Sequence, residues 1–221
     1  MASDCRLDSL SVPRVGRELA NASVIVVVGN VCAGSLMVAD RFPASQLGQG
    51  SVATLGYATR LLMLPATLAS LAIARSLLPI FSELSAQHDY AHLRQLVNRF
   101  AAGAFAIGLV LALLIWLLAP WLVQIAFERG SFDAEATART AGRCAGGVFQ
   151  LPGFAAAMVV VQALLSQRRY AVVAASGVFN LLAKLGLNAL LAPVIGVPGI
   201  TLATAIVLTA SFVLMWWLLQ R

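Results

Sequence analysis

The sequence contains few charged residues. Of its 221 residues, 11% are Asp, Glu, Lys or Arg and 60% are hydrophobic. A soluble globule needs more polar surface than this, whereas a lipid bilayer accepts apolar surface on every side. The mean hydropathy of +0.88 is likewise typical of a protein embedded in a bilayer. Composition therefore excludes an ordinary soluble domain and predicts an integral membrane protein.

Motifs that carry enzyme chemistry are also lacking. The three cysteines are scattered, and the chain has no nucleophile elbow, phosphate-binding loop or dinucleotide fingerprint. His88 and His92 have the i, i+4 spacing of a metal site, but Asp89 stands where a zinc-protease motif needs Glu, and no third ligand is near. We therefore expect no enzyme activity, no cofactor and no bound metal.

Acidic residues are in the minority. The net charge is +6, from fourteen arginines and one lysine against nine acids. In a soluble chain this excess would suggest nucleic acid. Here the basic residues lie in short segments between apolar runs, which the positive-inside bias of membrane proteins explains better. We expect no nucleic-acid partner.

Six apolar runs are long enough to cross a hydrocarbon core, which needs about 20 helical residues. They cover approximately residues 19–46, 52–81, 98–127, 144–166, 171–193 and 197–219. The sequence thus predicts an all-α polytopic protein, with a polar N-terminal segment (1–18) and a six-helix transmembrane lobe (19–221). Residues 82–99 form a polar connector with apolar residues at helical spacing, which suits an interfacial helix.

Six spans place both termini on one side of the membrane, and the arginine count favours the cytoplasm. With that orientation the cytoplasmic segments carry eight arginines and the outer segments carry four. The cytoplasmic set is Arg6, Arg14, Arg17, Arg94, Arg99, Arg168, Arg169 and Arg221, and the outer set is Arg41, Arg129, Arg139 and Arg143.

The one substantial outer loop contains the segment FERGSFDAEATART (127–140). Asp133 can cap a helix that begins at Ala134, and Glu135 with Arg139 makes an i, i+4 pair. Local helix formation explains most of the polarity of this loop.

Ionisable side chains at bilayer depth are more informative, since each costs roughly 2.5 to 3.5 kcal/mol to insert and needs a partner or a hydrated cavity. Asp40 and Arg60 lie ten residues on either side of Gly50, the turn of a predicted helical hairpin, and so lie at similar depth. They could form an ion pair or share a cavity. Alternatively Asp40 is solvated near the surface and Arg60 snorkels, as we expect for Arg75.

A polar stripe is predicted on the fifth span. Asn180, Lys184 and Asn188 follow one another at i, i+4 and therefore share one helix face. Such a stripe must face protein or water rather than lipid. It either binds a ligand or joins helices by hydrogen bonds.

Six segments that lie in this order between about Asp40 and Ala205 carry a family resemblance. They are GSVATLGYATRLLMLP, ARSLLPIFSEL, LRQLVNRF, FERGSFD, LPGFA and NALLAPVIGVPGITLATAI. Together they resemble the MurJ/MviN family, the lipid II flippases of the multidrug/oligosaccharidyl-lipid/polysaccharide exporter superfamily. The resemblance implies about fourteen helices in the family, of which this chain is similar to the seventh to twelfth, the second six-helix lobe. It also implies alternating access, in which one lobe rocks against another.

The resemblance also assigns residues. Arg60 matches the arginine of the family's tyrosine-alanine-aspartate-arginine motif, which implies contact with the pyrophosphate of the substrate. Tyr57 begins that motif, and Thr59 replaces its aspartate. Asp40 matches an acidic position of the seventh helix. The stripe of Lys184 lies where some relatives bind sodium, so we expect the ammonium group to replace the cation and sodium coupling to be absent.

The leading interpretation is a half-length, MurJ-like flippase of the bacterial inner membrane, which moves a polyprenyl-pyrophosphate glycan for peptidoglycan synthesis and cell shape. Its expected partners are that lipid-linked glycan, membrane lipids and a second lobe, either another copy or a separate chain. Three alternatives stay open: a truncated fragment without transport activity, an interaction subunit, or a lobe of a sibling drug or polysaccharide exporter.

Overall fold

The computed structural model describes residues 12–46, 51–127 and 147–221. Within these ranges the chain forms six long helices and no strand, which confirms the all-α prediction. The helices are α1 (Val12–Gln46), α2 (Ser51–Ala86), α3 (Tyr90–Phe127), α4 (Gln150–Ser166), α5 (Tyr170–Ile195) and α6 (Val197–Gln220). Each predicted span overlaps one of them.

The outer faces of these helices are apolar. Leu68 on α2, Leu117 on α3 and Leu190 on α5 are each more than two-thirds exposed. By length and composition, four segments of the described chain can cross a membrane: Leu62–Ala86, Tyr90–Leu118, Tyr170–Ile195 and Val197–Gln220. Exposed leucines on so many helices would be costly in water, and they identify a polytopic membrane protein.

Helix α1 begins at Val12, so residues 12–18 of the polar N-terminal segment are helical. The connector at residues 82–99 differs from the prediction. Residues 82–99 are not a separate interfacial helix, because α2 and α3 extend into this segment and leave only residues 87–89 between them. The apolar spacing of the segment has a different cause: Leu93 is fully buried in the core formed by α2, α3, α4 and α6.

Helix α4 occupies the centre of the lobe. It packs against α2, α3 and α6, and α1 packs mainly against α5, with only slight contact to α2. Small residues permit the closest approaches, because a Cβ atom on Gly108 would lie 2.8 Å from Pro152 Cα, and one on Gly153 would lie 3.0 Å from the Thr209 amide nitrogen. This is the packing expected between helices in a membrane.

The turns after α2 and α4 have the same form. Residues 87–90 and 167–170 both begin with Gln and end with the Tyr that starts the next helix. The second residue has a positive φ in both turns, 56° at His88 and 57° at Arg168. The amide of the third residue donates to the carbonyl five residues earlier, at 3.1 and 2.9 Å respectively. Both turns are Schellman motifs that end a helix and reverse the chain.

These two turns meet the C-terminus of α6 at one end of the lobe, which we call the basic end. Ser85 Oγ and Ser166 Oγ lie 3.1 Å apart. Arg169 Nη1 donates to the Leu218 carbonyl at 3.0 Å. The guanidinium of Arg221 lies 3.5 Å from the centre of the Trp217 ring. Arg169 and Arg221, two of the arginines that the sequence assigned to the cytoplasmic side, thus lie at the same end.

Candidate functional site

A cavity of about 320 Å³ lies between α1 and α2, at the end of the lobe opposite the basic end. We call it the arginine cavity. Its lining consists of Met37, Asp40 and Arg41 from α1 and Val52, Leu55, Gly56 and Arg60 from α2. Each helix places its lining residues on one face. Met37 and Arg41 are one turn apart on α1, and Gly56 and Arg60 are one turn apart on α2.

Arg60 and Asp40 both line this cavity, which is one of the arrangements that the sequence left open. Arg60 is exposed, and the cavity is the cleft beside it. Arg41 was not predicted as a site residue and was counted only among the charges of the outer side. Its position directly after Asp40 could have indicated that it lies near the same site. The Arg41 Nη2 atom lies 3.9 Å from Met37 Sδ on the same wall.

The ion pair of Asp40 is made with Lys184 rather than with Arg60. Asp40 Oδ1 lies 3.0 Å from Lys184 Nζ, and among the described side chains it has no ion pair with Arg60. The reason is that α1 packs along α5 and only slightly contacts α2. The predicted hairpin placed Asp40 and Arg60 at the same depth but did not determine which helix faces Asp40.

Lys184 is held by three helices. Its side chain is 2% exposed, and its ammonium group donates to Thr204 on α6 as well as to Asp40 on α1. Asn188, one turn further along α5, donates from Nδ2 to Asp40 Oδ1 at 3.1 Å and to the Ala39 carbonyl at 2.9 Å. The interaction of Thr204 was not anticipated, because nothing in the sequence relates it to a lysine 20 residues earlier.

The third residue of the stripe, Asn180, is separate from this cluster. Its Oδ1 atom is buried and has no hydrogen-bond partner among the described residues. It lines a second cavity, between α1, α4, α5 and α6. The predicted stripe therefore exists, but its three members face two different environments.

Other predicted residues lie away from the cavity or outside the described structure. Arg75 is exposed on α2 and does not line the arginine cavity. Thr59 Oγ1 donates to the Leu55 carbonyl at 2.7 Å, so it is used within its own helix. The side chain of Tyr57, the turn at Gly50, and the outer loop with Asp133, Glu135 and Arg139 lie outside the described residues.

His88 and His92 lie at the turn between α2 and α3 and in the first turn of α3. Asp89 Oδ1 accepts a hydrogen bond from the His92 amide at 3.0 Å and caps α3. His88 Nδ1 lies 3.2 Å from the Tyr90 hydroxyl. Within the described ranges, no group of three or more His, Cys, Asp or Glu residues could hold a metal ion.

The charges of the arginine cavity favour an anion. Asp40 is neutralised by Lys184 at 3.0 Å, so the guanidinium groups of Arg41 and Arg60 supply the remaining charge of the wall. A guanidinium stays protonated in nearly any protein environment, and its planar fork can donate two parallel hydrogen bonds to phosphate oxygens. The geometry therefore suits a phosphate or diphosphate group.

A bundle of long helices with polar side chains in its interior and leucines on its outer faces is typical of a polytopic membrane protein. Solved structures show the same fold. A structure titled "Lipid II flippase MurJ, inward closed conformation" superimposes with a TM-score of 0.75 and 17% identity, over 87% of this chain and 41% of that one. A MATE transporter of Vibrio cholerae superimposes with a TM-score of 0.83 and 16% identity, over 98% and 48% respectively.

The sequence comparisons identify the family. The chain belongs to the MurJ family, because the family model described as "Lipid II flippase MurJ" matches residues 12–221. A "Probable lipid II flippase MurJ" of Rhizobium tropici is 28% identical over 207 residues, which cover 88% of this chain and 36% of that protein. The "Lipid II flippase MurJ" of Burkholderia cenocepacia is 31% identical over 129 residues, 58% of this chain and 25% of that protein. The chain thus spans about a third of the length of these relatives, or less.

Proposed function

We propose that this chain is one lobe of a lipid II flippase, and that it moves a polyprenyl-diphosphate glycan across the bacterial inner membrane by alternating access with a second lobe. Membership of the MurJ family supports the substrate class. The observation that carries the proposal is the arginine cavity, in which Arg41 and Arg60 line one cleft and the nearby carboxylate of Asp40 is neutralised by Lys184.

In this mechanism the guanidinium of Arg60 binds the diphosphate, and Arg41 contributes a second positive charge. Asp40 is proposed to have a role other than the ion pair with Arg60 that the sequence allowed. Because it pairs with Lys184, it joins α1 to α5 and does not compete with the substrate for Arg60. Tyr57 belongs to the same motif and is proposed to contact the substrate beside Arg60.

A second lobe is part of the proposal, because alternating access requires two bodies that move against each other. It is either another copy of this chain or a separate chain. We propose that the basic end faces the cytoplasm, together with both termini. The gathering of the turns after α2 and α4 and the end of α6 at one end of the lobe supports this orientation.

Lys184 is proposed to take the place of a bound sodium ion. Its ammonium group has oxygen partners on two other helices, from Asp40 and Thr204, as a coordinated cation would. Sodium at constant ionic strength should therefore leave the melting temperature of the purified chain unchanged relative to choline. A sodium-specific increase would contradict this proposal.

The test of the proposed function is complementation. Cells depleted of their own lipid II flippase would receive this chain with or without a supplied first lobe, as wild type, Arg60→Ala or the control Arg75→Ala. Arg75 lies on the same helix and outside the cavity. We expect growth with wild type and Arg75→Ala and loss of growth with Arg60→Ala, at equal membrane levels.

Three outcomes would contradict the proposal. Unchanged growth with Arg60→Ala would remove the role of the arginine cavity. Failure of the wild-type chain under every pairing would favour a non-transporting fragment or interaction subunit, and export of a drug without rescue would favour a sibling exporter.

A further inference from the structure

The lobe contains a second cavity, separate from the arginine cavity, which we call the interior cavity. It has a volume of about 460 Å³ and is lined by four helices, α1, α4, α5 and α6. This volume lies within the range of small-molecule sites, about 300 to 1,000 Å³, and far exceeds that of a single bridging water. Along α5 its lining runs from Tyr170 to Asn180, so the cavity extends about 15 Å from the basic end into the lobe.

Most of the lining is apolar. Phe154, Met158, Val161 and Leu165 form the α4 wall, with Leu36 on α1 opposite. None of the described lining residues carries an acidic or basic side chain. An ionic ligand would therefore lose its hydration without gaining a counter-charge, which makes a charged group unfavourable here. The lining selects a neutral molecule with a large apolar part.

Two buried oxygen atoms of the lining have no hydrogen-bond partner among the described residues. They are Ser211 Oγ on α6 and Asn180 Oδ1 on α5, and Ser211 is 1% exposed. Buried polar atoms are rarely left without a partner, because the loss of hydration is then not compensated. Both residues line the same cavity.

The conformation of Ser211 differs from that of the other buried or half-buried hydroxyls nearby. Ser176, which lines the same cavity, donates to the Val173 carbonyl at 2.7 Å, and Thr209 donates to the Ala205 carbonyl at 2.8 Å. Helical serines and threonines usually make this bond to their own helix. Ser211 does not make it in the structure, so its hydroxyl is available to a group in the cavity.

From this geometry we propose that the interior cavity binds a neutral, lipid-soluble alcohol, with its hydroxyl between Ser211 Oγ and Asn180 Oδ1 and its apolar chain along α4. A hydroxyl is the simplest group that serves both oxygens, because it donates to the amide oxygen of Asn180 and accepts from the hydroxyl of Ser211. The apolar chain fills the remainder of the cavity. This site does not depend on the proposed transport of a lipid-linked glycan.

The experiment uses a diazirine-bearing eight-carbon alcohol as a photolabel on the purified full chain, with peptide mapping by mass spectrometry. We expect labelling of cavity residues such as Met158, Tyr170 and Met215, and displacement by 1-octanol. Octyl methyl ether, which lacks the donor, should compete about five- to tenfold less well, the effect of one lost hydrogen bond.

Matched variants distinguish a site from partitioning into detergent. Ser211→Ala and Asn180→Leu should each reduce labelling of the cavity by about five- to tenfold. Thr67→Ala should leave it unchanged, because Thr67 lies outside the cavity and its hydroxyl is bonded to its own helix. The melting temperatures of all variants would be measured in parallel, and only folded variants compared.

The proposal is overturned if the label attaches only to lipid-facing residues, as it would if the cavity holds water alone. It is also overturned if octanol and its ether compete equally, or if folded Ser211→Ala is labelled as strongly as wild type. A further variant, Ala157→Leu, fills the cavity from α4 and should abolish labelling. Retained labelling of cavity residues in folded Ala157→Leu would equally refute the site.

Discussion

At the scale of single residues, the pairing of Asp40 and Lys184 is the main feature that sequence reasoning did not predict. Depth along a helix follows from a count of residues, so the similar depth of Asp40 and Arg60 was predictable. The partner of Asp40 was not, because it depends on the rotation of α1 about its axis and on its packing against α5. Arg41 was not predicted for a related reason. Adjacent residues on a helix point in different directions, and only the packing of α1 shows that both Asp40 and Arg41 line one cleft.

For the buried pair of Asp40 and Lys184, we expect the loss of one residue to destabilise the fold more than the loss of the other. Lys184 is 2% exposed whereas the Asp40 side chain is 22% exposed, so removal of Asp40 leaves the more deeply buried charge without a counter-ion. Asp40→Ala should destabilise the folded lobe by about 3 kcal/mol, and Lys184→Met by less. Unfolding of the purified variants in mixed micelles measures both.

The double variant provides the control. Asp40→Ala combined with Lys184→Met leaves no unpaired charge and should be more stable than Asp40→Ala alone. If the double variant loses the sum of the two single effects, the residues are not coupled and the pair does not join α1 to α5.

At the scale of helices, the sequence predicted which segments are helical better than where they end. The apolar runs are typical of membrane spans and gave six helices at the expected places. The ends of α2 and α3 were not predicted, because the polar residues of 82–99 resembled a connector, while the structure continues both helices to a Schellman turn at 87–89. Positive φ at His88 gave no sequence signal, since glycine is the residue usually found there.

Close approach of α3 to α4 predicts the effect of two glycine substitutions. A Cβ atom at Gly108 would lie 2.8 Å from Pro152 Cα, which is backbone and cannot move aside, whereas one at Gly103 would meet no atom within 4 Å. Gly108→Ala should destabilise the lobe by about 1 to 3 kcal/mol. Gly103→Ala should be neutral or stabilise it by up to about 1 kcal/mol, because alanine favours the helix.

Thermal unfolding in the same detergent compares the two variants directly. Both substitutions add one methyl group to α3, so the comparison isolates the packing against Pro152. Equal melting temperatures would contradict the close packing of α3 on α4.

At the scale of the whole molecule, the chain belongs to the MurJ family, α4 is central among the described helices, and the two cavities lie in different places. Composition and the order of the motifs were sufficient for the class and the family. The division of the stripe between the interior cavity, which Asn180 lines, and the buried pair of Lys184 with Asp40 was not predictable, because Asn180 and Lys184 share one face of α5 and differ only in what α1 and α6 place against them.

The central claim is that Arg60 receives the diphosphate of a lipid-linked glycan, and direct binding tests it most simply. The purified chain in nanodiscs of uncharged lipid would be titrated with a polyprenyl diphosphate, as wild type, Arg60→Ala and Arg75→Ala. We predict that Arg60→Ala weakens binding by about tenfold or more, the effect of losing charge-assisted hydrogen bonds, and that Arg75→Ala binds as wild type does. If Arg60→Ala binds the diphosphate as tightly as wild type, the arginine cavity is not the substrate site.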